Sequence, residues 1–357
     1  MHGRQIEFVH HDDGFDAATG LAFTERLIHD DRVFALVGHF GTPTISATLD
    51  MIKDVGIPAV YFASGIAQLY IEDAFSIAQG RGLFPVQPIL VAEGRVLVAR
   101  AIEEYGARNI GIIYTNDEQG HDLLEGARNQ VSRMGADFNM VEARITPGGA
   151  DVSPAVLTMY NEGVDVIIIA AIQHTFPAVV NGIVAAGLDK PVFTTHNNAN
   201  ASEIAAFAAD YTGAGATFNV YSTAWLDIFN PNFTPGTDPD EAMFTQDYWT
   251  FAAGISALDP DLADNAFAMA GWIAASTFIQ GLRNMGNVDF ITWDAFMSSM
   301  ETNPINIPMG GTMSFAGGMR TGTTSLNLLR ANVAGEVWEN HRPMESLDEV
   351  LARVEGR

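Results

Sequence analysis

The chain has 357 residues, 48% of them apolar and 17% charged, with 18 Lys+Arg against 43 Asp+Glu for a net charge of −25. That balance describes a chain able to bury two cores rather than a disordered one, and it repels nucleic acid and anionic membranes. Cysteine is absent, so disulfides, thiolate metal sites and a cysteine nucleophile are excluded, and no apolar run reaches the ~20 residues of a membrane span.

The first strand expected is Ile6–Val9, running into the polar stretch His10–Asp13. Neighbouring residues on a strand point to opposite faces, so His10 and His11 do not read as ligands of one ion. A helix over Ala17–His29 and a strand over Val33–Val37 follow, and the strand breaks into "GHFGTPT". This loop lacks the Lys-Ser/Thr of a phosphate loop and the third glycine of a dinucleotide fingerprint. Thr42 fits an N-cap with Pro43 in the first turn of a helix over Thr44–Val55. An ordinary capped helix accounts for it; a carboxylate held by Thr42 and the first backbone amides is the functional alternative. The strand Ala59–Phe62 ends in Ala63-Ser64-Gly65, small residues that let a ligand approach the backbone.

"GLFPVQPIL" separates this first strand–helix group (Gly3 to about Leu83) from a second (about Val91 to Asn200), its two prolines favouring an extended crossing. The second group places strands at Ile110–Tyr114, Val164–Ala171 and Val192–Thr194, with helices at Ala92–Glu104, Leu123–Met134, Pro154–Asn161 and Pro177–Ala186. In "YTNDEQG", Asp117 or Glu118 reads as a helix cap in preference to an acid–base pair. In "TTHNNAN", His196 has no GxSxG serine to activate, and the loop reads as a ligand contact or a plain surface turn. After Phe218 the rhythm loosens: residues 219–240 read as a proline-rich loop, followed by helical patterns at Asp240–Ala257 and Leu262–Met285 and a β-prone tail from Met309 to Trp338. Phe267, near the start of the second helical pattern, is the residue expected to reach a cleft.

Taken in order, these segments resemble the type 1 periplasmic solute-binding proteins of the branched-chain amino-acid receptor (Leu/Ile/Val-binding-like) group served by ABC transporters. The resemblance is carried by "GRQIEFVHHDDGFDAATGLAFTERLIHDDRVFALVG", "GIPAVYFASG", "IGIIYTNDEQG", "GVDVIIIAAIQHTFPAVVNGIVAAGLDKPVF" and "SLNLLRANVAGEVW". It implies an α/β fold of two Rossmann-like lobes with mostly parallel sheets, joined by crossing hinge strands around a central ligand cleft. The lobes would be residues 1–85 with 222–310, and 86–221 with 311–357. It implies no enzyme activity, no cofactor and no metal. It also implies a small-molecule ligand (amino acid or organic acid), ABC permease subunits as partners, and a place in the periplasm or on the extracellular face. The family opens with a signal peptide and a further strand and helix before "GR", so this chain reads as N-terminally truncated.

By position, Thr42, Ala63, Ser64 and Gly65 fall where the family holds a ligand carboxylate, Gly65 standing in place of a frequent Thr or Ser. Ile172, Gln173 and His196 fall where an aromatic and an ammonium-pairing acid are usual, and Gln119 where a Tyr is frequent. A neutral imidazole pairs an ammonium less well than a carboxylate does. The expected ligand is therefore a small carboxylate- or amide-bearing molecule without an α-ammonium, packed against Phe267 and against Tyr221 or Trp225. A ligand-sensing domain of a receptor or regulator is the alternative of the same fold; an α/β enzyme lacks its motifs.

Overall fold

A computed structural model describes residues 4–75, 80–149, 151–229, 244–263, 265–286 and 289–356. The chain divides into two compact units, residues 1–89 with 227–323 and residues 90–226 with 324–357. It passes between them three times, each passage a few residues or more C-terminal to the expected one.

In the first unit, helix α1 (Ala17–His29) precedes β1 (Leu36–Phe40), α2 (Thr42–Val55), β2 (Ala59–Ala63) and β3 (Leu83–Phe84). Among the described residues the three strands form one parallel sheet in the order β1-β2-β3. Ile45, Leu49 and Ile52 recur at helical spacing on α2 and are buried, which fixes that helix on the sheet. Helices α8 (Gln246–Ser256), α9 (Ala266–Asn284) and α10 (Trp293–Thr302) and a small antiparallel pair, β9 (Ile305–Ile307) with β10 (Gly311–Met313), complete the unit. The first residues of the expected helix Asp240–Ala257 lie outside the described residues.

The expected strand Ile6–Val9 is not formed: the segment pairs with no strand among the described residues, and Phe8 is 74% exposed. Alternation alone does not make a strand without a neighbour to bond, and β1 stands at the end of its sheet.

The second unit has α3 (Leu90–Tyr105), β4 (Asn109–Thr115), α4 (Glu118–Met134), β5 (Asn139–Ile145), α5 (Ser153–Asn161), β6 (Val166–Ala170), α6 (Thr175–Ala185), β7 (Val192–Thr194), α7 (Ala201–Gly213) and β8 (Val220–Ala224). The chain returns to it with β11 (Ser325–Asn332), β12 (Val337–Ser346) and α11 (Leu347–Glu355). The sheet order is β12-β11-β8-β7-β6-β4-β5. From β8 to β5 the strands are parallel; β11 runs antiparallel to both of its neighbours. Strand β6, "VIIIA", is buried along its whole length, as a central strand covered on both faces must be. The stretch read as a loop from residue 219 instead begins with β8, all five residues of which are buried between β7 and β11. Its β-branched and aromatic residues pack there, a long-range pairing that the local composition does not show.

Candidate functional site

In the first unit, β1 and β2 run parallel and deliver their C-terminal ends side by side, pairing Phe40 with Ala63. Helix α2 starts directly after β1. Its N-cap is Gly41, not Thr42 as expected, and no side chain among the described residues caps it. Gly41 has φ 91°, a region that favours glycine, and a Cβ there would lie 2.8 Å from the Phe15 ring. Thr42 is therefore the first helical residue, and its side chain turns to β2: Thr42 Oγ1 and Ser64 Oγ lie 2.9 Å apart, both buried. A helix start whose amides no side chain caps, with two hydroxyls beside it, is suited to an oxyanion. Ala63 and Gly65 flank Ser64 on the same strand end.

Phe267 is carried by the first turn of α9, which Asn265 caps by accepting from the Phe267 and Ala268 N–H groups at 2.9 and 3.0 Å. The ring is 59% exposed and meets Phe40 edge-on at 5.5 Å. Behind Thr42, His39 Nε2 lies 3.0 Å from Thr48 Oγ1 and its ring tilts on Phe62. Burial pushes the His39 imidazole down to about 4, against the opposing charge of Asp13.

In the second unit, β4, β6 and β7 are parallel neighbours whose following loops carry the expected residues. After β4, Asp117 caps α4, its Oδ1 accepting from Gly120 N–H at 2.9 Å, which bears out the capping reading of that acid. Gln119 lies in that first turn, 1% exposed, and both polar atoms of its carboxamide are buried with no partner among the described residues. After β6, Gln173 takes φ 51°, and its N–H donates to Asn198 Oδ1 at 3.2 Å. The Asn198 amide donates in turn to Ala171 O at 2.7 Å and to Thr194 Oγ1 at 2.8 Å. Asn198 thus ties the loop of Ile172 and Gln173 to the loop of His196.

His196 lies against a buried carboxylate. Its Nδ1 lies 2.9 Å from Glu93 Oε2, and its own N–H donates to Glu93 Oε1 at 2.8 Å. Thr195 Oγ1 donates to Oε2 at 2.9 Å, and Thr223 Oγ1 donates to Oε1. Glu93, on α3, is fully buried. Burial alone would push its carboxyl up, but the His196 charge and these hydrogen bonds hold it below the usual carboxylate range. Sequence reading misses both Glu93 and the anchoring role of Asn198. Glu93 lies 103 residues from His196, and its only local signal is an acid in an otherwise apolar helix start.

Tyr221 does not stand at this end of the sheet as an aromatic wall. It is buried against Phe193 at 4.9 Å, with its hydroxyl 2.9 Å from that of Tyr105, at the far end of α3.

Each of the two α/β units has parallel strands whose C-terminal ends gather small, hydroxyl or amide side chains, the end of such a sheet where ligands are commonly held. A family profile described as "Periplasmic binding protein" matches residues 1–336, and the chain belongs to that family. An "Amino acid binding protein" of Pseudomonas aeruginosa is 22% identical over 279 residues, 63% of this chain and 72% of that protein. A fatty acid ABC transporter substrate-binding protein from Thermomonospora curvata is similar in structure, with TM-score 0.77 and 15% identity over 98% of this chain and 84% of that one. A branched-chain amino acid ABC transporter protein from Thermus thermophilus with bound valine has TM-score 0.75 and 14% identity, covering 97% and 86%. A solute-binding protein from R. palustris in complex with benzoate has TM-score 0.74 and 16% identity, covering 97% and 88%. The fold is that of the type 1 periplasmic binding proteins, as the resemblance implied.

Proposed function

We propose that this chain is the extracytoplasmic solute-binding component of an ABC uptake system and takes a small carboxylate- or amide-bearing ligand without an α-ammonium. The residues proposed to meet it are Thr42, Ala63, Ser64, Gly65 and Phe267 in the first unit and Gln119, Ile172, Gln173 and His196 in the second. Permease subunits are its proposed partners, and it binds without turnover.

The observation that carries this reading is the Gln119 carboxamide. Leaving a buried donor and a buried acceptor unmade costs about 1–3 kcal/mol each, and folded proteins rarely do so without cause. A ligand that offers an acceptor and a donor to the same amide satisfies both. The uncapped start of α2 beside Thr42 and Ser64 supports an oxyanion as the ligand's other group. The names of the structural relatives span valine, benzoate and fatty acid ligands, so the residues of this chain must decide among them.

The test is to purify the protein under native conditions, denature it and identify any released small molecule by mass spectrometry. Thermal melts with benzoate and with valine run alongside. Release of an amine-free acid or amide, or a melt raised by benzoate and not by valine, supports the reading. A bound branched-chain amino acid overturns the ligand class, and chemical conversion of the bound molecule overturns the binding role.

A further inference from the structure

We infer that Phe15 is a specificity-determining residue of the first unit: it ends a strip of three exposed phenylalanine rings beside the start of α2, and the strip selects an aryl carboxylate as ligand. This rests on the proposal that the start of α2 holds a ligand carboxylate.

The turn that carries Phe15 is built to present its ring. Asp16 N–H donates to Asp13 O at 3.1 Å, and the two residues between them, Gly14 and Phe15, have φ 60° and 64°. The first suits glycine; the second is a conformation that a bulky side chain rarely takes. Two carboxylates hold the chain in it: Asp12 Oδ1 accepts from Gly14 N–H at 2.9 Å, and Asp13 Oδ1 from Phe15 N–H at 2.8 Å. The ring then lies on the backbone of Gly41, where the lack of a Cβ leaves it room.

From there the aromatic surface runs on. Phe15 and Phe40 lie 6.3 Å apart between ring centres, their planes turned by 58°, and Phe40 meets Phe267 at 72°. Phe15 is 37% and Phe40 42% exposed, so with Phe267 the strip stays open. A strained backbone that serves an exposed ring points to contact with a ligand rather than to packing. At the Phe15 end lies the polar corner of Thr42 and Ser64, and Thr44 belongs to it as well. The Thr44 hydroxyl is buried with no partner among the described residues, 3.7 Å from the place a Cβ would take at Gly41. Hydroxyls and an uncapped helix start suit a carboxylate, and the rings beside them suit an apolar body joined to it. Because successive rings are turned through large angles, the strip offers faces and edges by turns. A flat aromatic ring gains edge-to-face contact from such a surface; an extended acyl chain does not.

Calorimetric titrations of the whole chain with benzoate, cyclohexanecarboxylate, octanoate and valine test this. Cyclohexanecarboxylate has the charge and nearly the size of benzoate without its aromatic faces. Benzoate is expected to bind about tenfold more tightly than cyclohexanecarboxylate, and more tightly than octanoate. Phe15→Gly suits φ 64° and so spares the turn; it should cut the preference for benzoate by about two- to tenfold, and Phe15→Tyr should restore most of it. Equal binding of benzoate and cyclohexanecarboxylate, tighter binding of octanoate, or a preference unchanged in Phe15→Gly overturns the inference and leaves the acid-binding reading standing. Binding of valine alone overturns both. Binding of none of the four overturns the inference, and the molecule released on denaturation then judges the wider reading. The urea midpoint of Phe15→Gly, expected to be equal or higher, separates the two roles open to the ring. A lower midpoint with an unchanged preference makes Phe15 a packing residue and overturns the inference.

Discussion

Gln119, a buried amide, and His39, a part-buried imidazole, lead to opposite expectations. Replacing Gln119 with Leu removes a buried amide that has no partner among the described residues, so the ligand-free protein should gain about 1–3 kcal/mol in urea denaturation. The same variant should lose the melt increase that a bound ligand gives. A variant that is destabilised instead would mean that the amide has a structural partner. His39 is neutral in the fold, with its imidazole pushed from 6.5 down to about 4 by burial. The unfolded chain binds that proton more readily, so stability is whole above about pH 6.5 and falls as pH drops toward about 4. The ring is part-exposed, so the loss should stay under about 3 kcal/mol. Denaturation midpoints of wild type and His39→Gln across that window check it, the variant showing the flatter profile.

Among the elements, the segment around Arg320 depends on one buried ion network. Arg320 Nη2 donates to Glu301 Oε1 at 2.7 Å, while its guanidinium lies 4.5 Å from the centre of the Phe84 ring. Arg81 joins from the other side, to Glu301 at 2.9 Å and to Asp294 at 2.6 Å. Glu301→Ala leaves a fully buried cation without its carboxylate and should cost about 3–5 kcal/mol, seen as a lower urea midpoint. Asp294→Ala, which removes an exposed partner, should cost under about 1 kcal/mol.

How much of these elements the sequence shows follows from how local their causes are. Helix α1 is legible to the residue, because Asp16 caps it and the apolar spacing is continuous. Strands β4, β6 and β7 are legible as short β-branched runs closed by glycine-ended helices. Strand β8 is not, since its partner β11 lies about a hundred residues away. Thr42, Ser64 and His196 are residues that the sequence proposes by type and position. The Glu93 contact is not, because a helix start carries no mark of what will fold over it.

For the whole molecule, the net charge of −25 means that self-repulsion opposes the compact state. Raising salt from about 0.01 to 0.15 M shortens the screening length from about 30 to 8 Å and should raise the melting midpoint. Of the three chain passages, two run side by side within the first unit: Thr323 N–H donates to Val86 O at 2.9 Å, and Gly322 sits against Gln87. Gly322 has φ 65°, and a Cβ there would fall 2.1 Å from Gln87 O. Gly322→Ala must therefore push these segments apart and should cost about 1–3 kcal/mol, again in the urea midpoint. An unchanged midpoint would show that the two segments can separate freely.

The two-piece construction of the second unit has a consequence for the order of synthesis. Strand β8 is made early but stays a bare sheet edge until Asn327–Arg330 emerge to cover it. Neither unit can close on the ribosome before the chain has passed residue 320, so folding of both waits for these late segments to be made. During that interval the buried, β-prone run Val220–Ala224 is exposed, and holding it in solution becomes a task for whatever accompanies the nascent chain.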